Sequence, residues 1–74
     1  MENRILNLME EVDTDMMSAE LPNGVIVTFE VNNNGNVIVY ENVEANPTCT
    51  PVLLSDYCKD NQDLAIEALG RLLG

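Results

Sequence analysis

The stretch from Val25 to Val43 reads V-I-V-T-F-E-V-N-N-N-G-N-V-I-V-Y-E-N-V, and it decides the fold. Two runs rich in Val, Ile, Thr, Phe and Tyr flank an Asn-Gly pair. β-Branched and aromatic side chains suit a pleated surface, and Asn and Gly accept the positive φ of a tight turn. The stretch is therefore a hairpin closed over Asn32 to Asn36. In its first arm Val25, Val27, Phe29 and Val31 share one face, while Ile26, Thr28 and Glu30 share the other, because successive side chains alternate across a strand. The second arm is expected over Val37 to Val43.

Upstream, Leu21-Pro22-Asn23-Gly24-Val25 is a second turn, with Pro setting φ and Asn-Gly accepting its positive values. A short strand from Met16 to Leu21 precedes it, with Met17, Ala19 and Leu21 on one side and Ser18 and Glu20 on the other. Asp13, Thr14 and Asp15 break the chain before that strand. From Glu2 to Val12, the apolar Ile5, Leu8, Met9 and Val12 recur at helical steps, with Met16 continuing the stripe and Leu6 widening it. Glu2 suits the positive end of that helix, whereas Glu10 and Glu11 stand at its negative end.

Downstream, Asn46-Pro47 and Thr50-Pro51 form a loop, and Val52 to Leu54 add a short edge strand. Asp60 or Asn61 caps a last helix, whose stripe comprises Leu64, Ala65, Ile66, Ala68, Leu69, Leu72 and Leu73. Gly70 weakens it by roughly 1 kcal/mol relative to Ala. The expected fold is a single small acidic α+β domain over residues 1–74, ordered α-β-β-β-(β)-α, an antiparallel meander with its helices packed on the Val/Phe face. The opposite face is expected to carry Glu20, Glu30 and Glu41 amid Ile and Thr, either solvated or as a binding surface.

Composition narrows the function. The formal charge is -10, from 13 acids against Arg4, Lys59 and Arg71. Self-repulsion on so small a body costs stability, and it either serves solubility or reflects a basic partner. Direct binding to nucleic acid or to an anionic membrane is disfavoured, because both need cationic side chains. With no Trp, one Phe and two Tyr, the core must be aliphatic and Met-rich. No signal peptide and no run of ~20 apolar residues is read, so a cytoplasmic location with reduced thiols is expected. A disulfide between Cys49 and Cys58 is the alternative.

Four chemistries are open to such a chain. Glu30-V-Asn32-N-Asn34-Gly35-N-V-I-V-Y-Glu41 approaches a calcium loop of the EF-hand kind, but β-branched runs flank it where helices are required, and a hairpin turn wants Asn and Gly anyway. Two isolated cysteines and no histidine fall short of a zinc ligand set. No nucleophile elbow or phosphate-cradling loop stands out, so the chain reads as a non-enzyme without cofactor. The fourth chemistry is the acidic surface itself. Alternate strand residues lie about 6.6–6.8 Å apart, so a rigid sheet can present regularly spaced carboxylates to a basic groove built for phosphates. The candidate contacts are Glu10, Glu11, Asp13 and Asp15 at the helix end, Glu20, Glu30 and Glu41 on the sheet, and Glu44 beyond. The plain alternative is a solvated acidic surface with no partner.

Val31-Asn32-Asn33-Asn34-Gly35-Asn36, together with the N-terminal helix followed by a meander in a very acidic short chain, resembles small phage-encoded anti-CRISPR proteins, in particular the Cas9 inhibitors of Listeria prophages. The resemblance covers the first half of the chain. The C-terminal half departs, with an aliphatic last helix where those inhibitors carry a strongly acidic segment. The resemblance implies a DNA mimic that fills a basic cleft of a CRISPR-Cas effector in the host cytoplasm. It adds Asn33, Asn34 and Asn36 to the contact candidates, beside Glu30 and Glu41. Acidic phage proteins that mimic DNA against restriction enzymes are an equal match. The other class of function is a non-enzymatic interaction module that dimerises through Ile26, Ile38 and Tyr40 on the outer sheet face, so the expected state is monomer or homodimer.

Overall fold

Apolar spacing switches between the helical and strand periods along the chain, and the elements follow it. The computed structural model describes residues 2–73. The order is α1 (Glu2–Glu11), β1 (Met16–Glu20), β2 (Ile26–Val31), β3 (Val37–Glu41), β4 (Val52–Leu53), α2 (Leu54–Asp60) and α3 (Gln62–Leu73). The strands form one antiparallel sheet in the order β1-β2-β3-β4. This is the expected α+β meander, with its short edge strand in place.

Helix α1 stops where Asp13 takes a φ of 58°. The Asp13 N–H donates to the Glu10 carbonyl at 3.2 Å and the Thr14 N–H to the Met9 carbonyl at 2.9 Å. These are the paired bonds of a Schellman ending, a place usually given to glycine. Val12 is left beyond the helix, and Met16 opens β1 instead of extending the helical stripe. Both side chains are exposed.

The two hairpins close alike. The Leu21 N–H donates to the Val25 carbonyl and the Gly24 N–H to that of Leu21; the Asn32 N–H donates to the Asn36 carbonyl and the Gly35 N–H to that of Asn32. Gly24 has φ 90° and Gly35 φ 81°. Each is a three-residue loop ending in a left-handed glycine.

Sheet register sets the core. Met17, Phe29, Val39 and Val52 form one row, and Ala19, Val27 and Glu41 the next. Ile5 and Met9 of α1, Leu54 and Tyr57 of α2, and Ala65, Ala68 and Leu69 of α3 pack with Val27, Phe29, Val37 and Val39. The helices thus cover the Val/Phe face, as expected. Ala65 and Ala68, both fully buried, keep the α3 surface small on its inward side. Ile66, expected on the apolar stripe, is exposed instead, because burial follows the 65, 68, 69 spacing of one helical face.

Three further expectations change. Strand β3 ends at Glu41 rather than Val43, because Asn42 turns to φ 52°. Leu54 begins helix α2, in place of the expected edge strand and loop; Leu54, Tyr57 and Cys58 carry its core contacts at helical spacing. Asn61, at φ -137°, separates α2 from α3. Finally, the outer sheet face is not bare. Thr28 is 1% exposed, and Ile26, Ile38 and Tyr40 are half-buried rather than exposed. The segment after Asn42 turns back on itself, with the Ala45 and Asn46 N–H groups donating to the Asn42 carbonyl. It then walls one side of that face.

Two sheet edges are plugged by side chains. A Glu2 carboxylate oxygen accepts the Val37 N–H at 3.2 Å, where β4 is too short to reach. The Thr14 hydroxyl oxygen lies 3.4 Å from the Met16 N and 3.1 Å from the Met16 carbonyl oxygen.

Candidate acidic interface

The hairpin register sorts the candidate residues into two groups at opposite ends of the sheet. At one end, Met16 pairs with Glu30, and the Val31 N–H donates to the Asp15 carbonyl at 2.9 Å. Asp15, Glu30 and the Asn32–Asn36 turn therefore stand together. Glu10, Asp13 and Asp15, with Met9 and Thr14, line an open concavity of ≈ 430 Å³ at the same end. Glu11, exposed, follows Glu10 at the last turn of α1.

Within that turn, one asparagine does the structural work. The Asn32 Oδ1 accepts the N–H groups of Asn34 at 2.9 Å and Asn36 at 3.0 Å. Asn33, Asn34 and Asn36 are exposed. Their side chains make no hydrogen bond within the described residues, so their amides are presented to solvent.

At the other end stand Glu20, Glu41 and Glu44. Glu20 pairs with Ile26, and Glu41 with Val27. Four residue steps along β1 separate Glu20 from Met16, about 13 Å. Glu41 corrects an expectation. It lies on the helix-covered face, at its exposed rim, rather than on the outer face with Glu20 and Glu30. The reason is parity: Val37, Val39 and Glu41 alternate onto one face, opposite Phe29 and Val27. Glu30 and Glu41 are thus on opposite faces and at opposite ends.

Electrostatics follow from this layout. Among the described residues the one side-chain ion pair is Arg71 to Glu67, at 4.0 Å. Among the described residues, the candidate acids therefore have no counter-charge in contact. Glu30, half-buried, accepts a hydrogen bond from the Tyr40 hydroxyl at 3.3 Å. Burial raises the Tyr40 phenol, and the Glu30 charge and hydrogen bond raise it further. On the inner face the Tyr57 phenol is pushed up to about 12, by burial first and then by the Glu41 and Cys58 charges. Its hydroxyl is buried without a hydrogen-bond partner among the described residues.

The calcium reading gives way to the hairpin. The Asn32 oxygen is already spent on two backbone N–H groups, and Glu41 lies at the far end of β3 from the turn. The cysteines are apart in role: Cys49 lies near Tyr40, whereas Cys58 packs against the core, where burial raises its thiol.

The sequence reading missed one feature. Met16, Ser18, Ile26 and Thr28 floor a groove of ≈ 370 Å³ on the outer face, walled by residues 42–45. In its floor the Ser18 and Thr28 hydroxyls are 2.8 Å apart. The Asn42 side chain braces the wall by accepting the Ile26 N–H at 3.0 Å. An Asn following a β-rich run was a signal for that turn. No helix among the described residues is long and apolar enough to cross a membrane. No protein family, curated protein or solved structure matches this chain.

Proposed function

We propose that this protein is an inhibitor of the phage or mobile-element type, which mimics DNA and blocks nucleic-acid binding by a host defence complex such as a CRISPR-Cas effector. The observation that carries the reading is the uncompensated charge of -10. Glu10, Asp13, Asp15 and Glu30 gather beside an asparagine turn whose amides face solvent. Carboxylates held on a helix end and a sheet stand in for phosphates, and the amides offer the donors and acceptors of base edges. Glu20, Glu41 and Glu44 sit elsewhere and contribute to the long-range field that speeds encounter.

The test is retention of a basic nucleic-acid-binding complex from host lysate on the immobilised protein, eluted stepwise with salt. Release at moderate salt is expected, because exposed charge pairs are screened. Joint Glu10→Lys and Asp15→Lys substitution should abolish retention, while joint Glu20→Lys and Glu44→Lys substitution should only slow association. Equal loss from both pairs would show that net charge, rather than this end of the sheet, is what binds.

The second reading, a homodimer through the outer face, draws on one row of that face. In the row Met16-Glu30-Ile38-Leu53, Met16 and Leu53 stand exposed at the two ends and Glu30 and Ile38 are half-buried between them. Such a dimer would persist at high salt in sizing chromatography, and a monomer at high concentration would count against it.

A further inference from the structure

Strand β1 is an edge strand, and its hydrogen-bonding parity leaves part of that edge open. The Leu21 N–H donates to the Val25 carbonyl, and the Asp15 carbonyl accepts from the Val31 N–H. Odd-numbered residues of β1 thus turn their main-chain groups toward β2, and Met16, Ser18 and Glu20 turn theirs outward. The Thr14 hydroxyl covers Met16. No side chain among the described residues covers Ser18 or Glu20 in this way. Edges are usually blunted by Pro, Lys or a bulge. Strand β1 pairs regularly over its five residues and contains none of these; helix α3 packs along it from the inner face.

Beside this edge lies the outer-face groove floored by Met16, Ser18, Ile26 and Thr28. Glu44 stands in its wall and no Lys or Arg lines it; Glu20, the next residue along the same face of β1, lies outside the groove and shares a shallow concavity with Arg71 of α3.

We infer that the β1 edge takes an extended basic segment of a partner protein as a fifth strand. The main-chain groups of Ser18 and Glu20 pair with the segment. The side chain opposite Ser18 lays its apolar stem over the groove, and cationic heads meet Glu20 and Glu44. Charge selects this occupant over a second copy of the chain, since self-pairing would bring together two bodies of charge -10. The inference stands apart from the proposed DNA mimicry, which uses the other end of the sheet.

The probe is the capped peptide acetyl-Lys-Val-Lys-Val-Lys-amide, titrated into the isotopically labelled full chain and followed by amide chemical shifts and hydrogen exchange. The Ser18 and Glu20 amides should shift and become protected. A peptide N-methylated at alternate residues keeps the charge but cannot pair, and should bind about tenfold or more weakly. A Glu-Val counterpart should not bind. Ser18→Pro removes the edge-facing N–H together with the hydroxyl that meets Thr28, and should weaken binding similarly. Equal binding of the N-methylated peptide overturns the inference without relying on any variant folding. So do shifts confined to Asp13, Asp15 and residues 32–36, which would instead support the DNA-mimic end. Protection of Ser18 and Glu20 that rises with protein concentration and no peptide would assign the edge to a second copy, and also overturns it.

Discussion

The two hairpins share a geometry and differ in what their residues have left over. Both loops end in a left-handed glycine, Gly24 and Gly35. In the first, Pro22 presets φ, the Asn23 Oδ1 accepts the Val25 N–H at 3.0 Å, and the loop is flanked by buried Leu21 and half-buried Val25. In the second, the loop and both its flanks are polar, and Asn32 alone holds two backbone N–H groups. The first turn spends its sequence on closing a hairpin. The second closes an equivalent hairpin with Asn32 and Gly35, and carries three further asparagines that the geometry does not require.

The comparison is broken most severely through the strand the hairpins share. Phe29 is fully buried at the centre of β2, between Met17 and Val39. Phe29→Ala should cost about 3–5 kcal/mol, read from denaturant unfolding, and should loosen both hairpins together. Next come the glycines. A Cβ at Gly24 or Gly35 would meet no atom within 4 Å, so the cost of Ala there is conformational alone. Each Gly→Ala change should destabilise by about 1–2 kcal/mol, and equal values would confirm that the turns are equivalent. Gly70 supplies the opposite sign. It lies within α3 with equally open surroundings, and Gly70→Ala should stabilise by about 1 kcal/mol.

The hairpins were legible because a short-range code fixes them: alternating β-branched residues around Asn-Gly leave little choice of register. The same code placed Glu30 and Glu20 correctly. Glu41 falls on the inner face by its parity with Val37 and Val39, which the sequence already carries, and not on the outer face expected for it. Helix α2 was hidden for another reason. Its seven residues show too little period to outweigh the β-rich Val52-Leu53-Leu54 before them, and tertiary burial of Leu54 and Tyr57 decides the outcome. The grouping of Glu10, Asp13 and Asp15 with Glu30 was likewise out of reach. It depends on how α1 returns to β1 beside the end of β2, a non-local pairing that no local spacing encodes.

The smallest effects separate structure from function most cleanly. Asn32→Ala removes two accepted hydrogen bonds and should cost about 1 kcal/mol or slightly more, against about half that for Asn23→Ala, which removes one exposed bond. Joint Asn33→Ala, Asn34→Ala and Asn36→Ala substitution should leave stability within about 0.5 kcal/mol of the parent, since those exposed side chains hold nothing within the described residues. If the turn reads a phosphate-binding cleft as proposed, that triple variant should nevertheless lose much of its retention on the basic complex while unfolding at the parental midpoint. A variant that unfolds as the parent does and still binds as the parent does would reduce the second hairpin to a more polar copy of the first. Binding would then rest on Glu10, Asp13, Asp15 and Glu30, where charge reversal but not amide removal has an effect.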